Sequence, residues 1–182
     1  VQQSSASRNR NRHGSLLTEF SAAFTIFVCC LLIPLLNLSV IPLRYVVAYA
    51  LVSSLTHKAA TAETRSQAIA LANNSEYYQN FASRFGFSLG ASSLSIVCKN
   101  RDSKFIILPE KKPIPAVWLP GGSRSDCNYL LQLETVVSIP PLFCVGPKIT
   151  ALTAPVSVMI TSNAPWENLG RDPSTEGFFI NE

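Results

Sequence analysis

The chain has 182 residues, 15 Lys and Arg against 11 Asp and Glu, a formal net charge of +4, five cysteines and two histidines. That length leaves room for one compact domain, and scattered basic residues with no interleaved aromatic patch argue against nucleic-acid binding. His13 and His57 have no plausible site around them and the carboxylates show no catalytic or metal-ligand spacing, so neither an enzyme nor a cofactor is expected.

Residues 1–14, VQQSSASRNRNRHG, are polar and rich in Ser, Asn and Arg, which predicts a flexible cytoplasmic leader. From Phe20 to Leu43 no residue is charged. Written as helix, these roughly 24 positions span about 36 Å, enough to cross a hydrocarbon core of about 30 Å. A transmembrane helix continuing as an amphipathic stalk is therefore predicted over 15–73. Arg8, Arg10 and Arg12 precede the run, which by the positive-inside rule places the amino terminus in the cytoplasm. Arg44, Lys58 and Arg65 beyond it weaken that contrast without removing it.

Ser15 or Thr18 can cap this helix, and Glu19 falls in its first turn, where a carboxylate interacts favourably with the helix dipole. A carboxylate at the lip of an apolar run calls for interfacial water or a partner such as another chain's amino terminus. Pro34 and Pro42 each remove an amide donor, so a kink or unwound stretch is expected near them, with Asn37 between them to satisfy a freed carbonyl. Tyr45 and Tyr49 stand where an interfacial aromatic belt would lie. Apolar residues from Leu51 to Ala72 recur at helical spacing and predict a stalk ending near Asn73, followed by a short helix over Glu76–Phe85 with Tyr77, Tyr78, Phe81 and Phe85.

Residues 74–182 read as an extracytoplasmic α+β domain. Candidate strands are Leu94–Val97, Phe105–Leu108, Ala116–Leu119, Tyr129–Ile139 and Ile149–Thr161, the last two forming an antiparallel hairpin across PPLFCVGPK. The fold class is thus a long N-terminal helix followed by a small antiparallel sheet. Glu110–Cys127 is expected as an irregular excursion, and the tail as loosely packed with Trp166 and Phe178-Phe179 docking on the sheet.

Cys29 and Cys30 lie in the apolar run and read as packing residues. An oxidising exterior would allow one disulfide among Cys98, Cys127 and Cys144, and spacing does not fix the pair. Cys98 with Cys127, which brackets the most loop-like part of the domain, is expected ahead of Cys127 with Cys144.

The segment HGSLLTEF, a glycine followed by small and apolar residues, a glutamate and then a long apolar helix behind a basic leader, resembles the cleavage region of type IV prepilin-like proteins. With the Ala-rich stalk and the late hydrophobic hairpin, the chain most resembles TadE/TadG-like pseudopilins of tight-adherence pilus systems. That resemblance implies a minor pilin or assembly accessory in a bacterial membrane. A prepilin peptidase would cut between Gly14 and Ser15, and Glu19 would pair with a neighbouring subunit's amino terminus; the partners are other pilin-like subunits and the bilayer. His13 and Thr18 depart from the residues usual in that family. The alternatives are a secreted protein with a signal peptide ending near Ala48-Tyr49-Ala50, and a single-span accessory subunit of a larger membrane complex that keeps its leader.

Overall fold

The computed structural model describes residues 6–73, 76–102, 105–109, 112–124, 126–144, 149, 153–166 and 168–181, with side chains described from Leu16 onward. A single long N-terminal apolar helix precedes a four-stranded antiparallel sheet, as the sequence predicts. The chain divides into two compact units, Val1–Ile41 with Pro141–Ala154, and Pro42–Pro140 with Pro155–Glu182.

In the first unit α1 runs from Ala6 to Phe27, passes through a π-helical turn at Val28–Leu32 and continues into α2, Ile33–Ala60. Residues expected to form a flexible leader are therefore helical from Ala6. Extending a nucleated helix adds a hydrogen bond per residue, whereas starting one is costly, so the apolar run can propagate its helix backward into polar sequence. The π turn is the break expected near Pro34. Proline has no N–H to offer the Cys30 carbonyl four residues back, and its ring crowds that oxygen. The ladder widens just before it, and the Ile33 N–H donates to Val28 O, five residues away. Pro42 lies inside α2, which continues past it.

In the second unit the buried face of α2 is Ala48, Leu51, Val52, Leu55, Thr56 and Ala59, a spacing of three and four that keeps one stripe of the helix inward. The stalk does not continue unbroken to Asn73. α2 ends at Ala60, and α3 restarts at Arg65–Asn73. Thr64 starts it, its Oγ1 accepting from the Gln67 N–H at 3.3 Å, the geometry of an N-cap. The short aromatic helix is α4, Glu76–Arg84. It closes on a Schellman turn: the Phe87 N–H reaches Ala82 O and the Gly86 N–H reaches Ser83 O, both at 3.1 Å, with Gly86 at φ +73°.

The sheet order is β2-β1-β3-β4, from β1 Ser88–Asn100, β2 Phe105–Pro109, β3 Cys127–Ile139 and β4 Val156–Pro165. Leu94, Ile96 and Cys98 on β1, Leu131, Leu133 and Val137 on β3, and Ile160 and Ala164 on β4 alternate into the core. Three boundaries differ from the sequence reading. β1 begins earlier, across a register shift between Leu89 and Ser92 that the serine-rich sequence conceals. Ala116–Trp118 is a 3-10 turn between Pro115 and Pro120, not a strand, because flanking prolines deprive a ladder of donors. The hairpin pairs Ile139 with Val156, so β4 starts well after Ile149 and the two strands are too far apart in sequence for a tight turn.

The expected disulfide is not formed, and all five cysteines are free. Cys98 pairs in register with Tyr129, and Cys127 pairs with Asn100. The two thiols are therefore diagonal across the ladder, where Cβ atoms lie well beyond the roughly 4 Å a disulfide needs. Cys127 Sγ instead donates to Arg124 O at 2.7 Å. Cys144 is exposed and free, as is Cys127, so the alternative bridge is absent too.

The tail is better packed than expected. Trp166 is buried and its Nε1–H donates to Asn168 O at 2.8 Å, while Ile180 is fully buried. Asn181 forms a reciprocal pair with the Ile114 backbone, its Oδ1 accepting from the N–H and its Nδ2 donating to the carbonyl.

Candidate functional site

The chemistry of the first unit is set by a helix that shows apolar side chains to its surroundings. Leu17, Phe20, Phe24, Ile26, Leu31 and Leu35 are all exposed. Among the described residues one helix, Leu16–Ala60, is long and apolar enough to cross a membrane, and only 6% of its most apolar window is buried. Exposing a Leu, Ile or Phe side chain to water costs about 1.5–3 kcal/mol, so six such residues amount to on the order of 10 kcal/mol.

Thr25, Ser39 and Asn37 in this stretch are bonded back to protein. Thr25 Oγ1 donates to Ser21 O at 2.8 Å and Ser39 Oγ to Leu36 O at 2.9 Å, both within the helix. Asn37 reaches further. Its Nδ2 donates to Phe143 O and its Oδ1 accepts from the Phe143 N–H, each at 2.9 Å, and the side chain is 1% exposed. The amide was expected to serve a carbonyl freed by the prolines; the structure shows it clamping the connection between β3 and β4 to the apolar helix.

That connection carries its own apolar surface. Leu142, Phe143 and Ile149 are 47%, 40% and 49% exposed. The Ile149 N–H donates to Thr153 Oγ1 at 2.8 Å, and its carbonyl accepts from the Thr153 and Ala154 N–H groups. Neither Phe143 nor Ile149 stood out in the sequence. The available signal was the single Asn between two prolines in an uncharged run, a residue that needs a partner when water is absent.

Gly14 and Ser15 lie on the backbone of α1, and Glu19 is exposed on the same helix. No protein-family model matches the sequence, and no curated protein or solved structure does either. The likeness to TadE/TadG-like pseudopilins thus rests on the sequence motif alone, and the pilus terms it implied gain no support.

The second unit holds the remaining candidate groups. Cys98 is fully buried, and its thiol is pushed up to about 11, chiefly by that burial and secondarily by Cys127, with Arg65 opposing. Tyr129 is raised to about 12 by burial and the same two thiols, and its hydroxyl donates to Trp118 O at 2.6 Å. Arg65, 3% exposed, donates from Nη1 to Lys112 O at 2.9 Å and from Nη2 to Pro109 O at 2.8 Å. It fastens the exit of β2. A thiol held neutral is a poor nucleophile, so Cys98 reads as a packing residue. Among the described residues no group of three or more His, Cys, Asp or Glu could hold a metal ion.

The sheet's outward face is partly apolar. Phe105 and Ile107 on β2 and Val136 and Met159 on neighbouring β3 and β4 are each 44% exposed or more. Val97 lies between Ile107 and Leu130 in register, which extends the first pair across three strands.

Proposed function

We propose that the protein is a non-catalytic, single-span accessory or structural subunit of a membrane complex, with its β domain on the side opposite a cytoplasmic amino terminus. The observation that carries this reading is the exposed apolar surface of the Leu16–Ala60 helix, which is stable in lipid and costly in water. Arg8, Arg10 and Arg12 before the span support the orientation. The apolar stripes on the outward face of the sheet supply a surface for a neighbouring subunit. The helix keeps the subunit in the membrane, and the sheet offers its outward apolar face to a partner.

Purification of the full chain from native membranes in mild detergent, with mass spectrometry of copurifying chains, tests the reading. A stable stoichiometric complex is the expected result. Recovery as a lone monomer after crosslinking in the intact membrane contradicts it. Intact mass adds a second discriminator, since a retained subunit keeps the Gly14–Ser15 bond, and a chain beginning at Ser15 contradicts the retained form.

A further inference from the structure

We infer that Leu142, Phe143 and Ile149, between β3 and β4, form a second membrane contact and insert among the lipid acyl chains beside the spanning helix. The inference rests on the reading of that helix as a membrane span and adds a lipid-binding surface to it.

Depth comes from the clamp. Asn37 lies about 17 residues beyond Phe20, roughly 26 Å along a helix, which places it near the far edge of a hydrocarbon core of about 30 Å that begins at Phe20. Its side chain holds Phe143 through both backbone groups, so Phe143 is fixed at that level of the helix. Irregular backbone is excluded from hydrocarbon because its unpaired N–H and C=O groups cost several kcal/mol each. At Phe143 both groups are taken by Asn37, and at Ile149 both are taken by Thr153 and Ala154. These two residues meet the condition for lipid contact: an apolar side chain turned outward over a backbone with no unmet hydrogen bond.

The occupant follows from continuity. Residues 141–154 belong to the same compact unit as 1–41, whose helix exposes Leu35, Leu36 and Leu38 on either side of Asn37. Phe143 and the adjoining Leu142 thus lie at the depth of these helix residues, and lipid that covers the helix covers them. Asn37 serves as a positioning residue.

The test uses the full chain reconstituted in phosphatidylcholine vesicles, with Leu142→Trp, Ile149→Trp and Phe105→Trp variants. Phe105 is a control because its register through Lys99 to Asn128 places it at the start of β3, away from the connection that follows Ile139. Emission added to that of Trp118 and Trp166 is read in vesicles whose lipid is brominated high on the acyl chain. At Leu142→Trp and Ile149→Trp the added emission is expected to fall about twofold or more, as for a side chain at the acyl boundary, with little change at Phe105→Trp. Adding Asn37→Leu to Leu142→Trp should return its quenching towards the Phe105→Trp level. Failure of both connection variants to be quenched, in vesicles that retain the chain through carbonate washing, overturns the inference alone. Protection of both from aqueous iodide as well as from brominated lipid assigns the surface to a second copy of the chain and also overturns it. Release of the parent chain by carbonate overturns the inference together with the membrane reading.

Discussion

Thr135 sits in the middle of β3, 3% exposed, with its Oγ1 buried and lacking a hydrogen-bond partner. Replacing it with valine keeps the shape and removes the unmet group, so Thr135→Val should stabilise the protein by about 1 kcal/mol, read from chemical denaturation followed by tryptophan emission. Arg65 is the opposite case, a buried cation whose guanidinium bridges two carbonyls. Arg65→Ala takes the guanidinium donor from Lys112 O and leaves Pro109 O only its bond from the Lys112 N–H, and should cost about 1–3 kcal/mol in the same assay; a loss below about 0.5 kcal/mol would show that the bridge is dispensable. Cys98 and Tyr129 predict a pH dependence. Their folded values lie above the ordinary 9.0 and 10.0, so the unfolded chain loses these protons first. The stability they contribute is intact below pH 9.0 and is lost as pH rises towards 11 and 12. A Cys98→Ala variant should therefore lose less stability than the parent between pH 9 and 11, measured by thermal unfolding.

Among the elements, the turn after α4 depends on one glycine. Gly86 has a left-handed φ, and a Cβ there would stand 2.7 Å from Arg44 Nη2, whose guanidinium also donates to Pro140 O. Gly86→Ala should destabilise by about 1 kcal/mol or more, checked by the denaturation midpoint. Elements with a long, unbroken pattern were legible in the sequence. Phe20–Leu43 declared a span through the absence of charge, and Tyr129–Ile139 declared a strand through alternation. What the sequence concealed depends on partners remote in the chain. The length of β1 comes from pairing with β3 across serines that carry no hydrophobic period. The role of Asn37 comes from a backbone group 106 positions away. The disulfide expectation failed for a related reason: cysteines that bracket a loop in sequence are two residues out of register across the ladder.

At the level of the whole molecule, the described residues form one long apolar helix and one sheet domain, which the proposed function assigns to anchoring and to partner contact. The apolar residues of the sheet are buried inside the second unit, whereas the exposed leucines and phenylalanines of the first unit favour a non-aqueous surrounding. The resemblance to prepilin-like proteins singles out Gly14, Ser15 and Glu19, but a motif does not fix what a helix packs against. The most direct measurement is alkaline carbonate extraction of native membranes containing the full chain. The account predicts that the protein stays in the membrane pellet with residues 16–43 protected from added protease. Its release into the soluble fraction as an intact, folded chain would contradict the account.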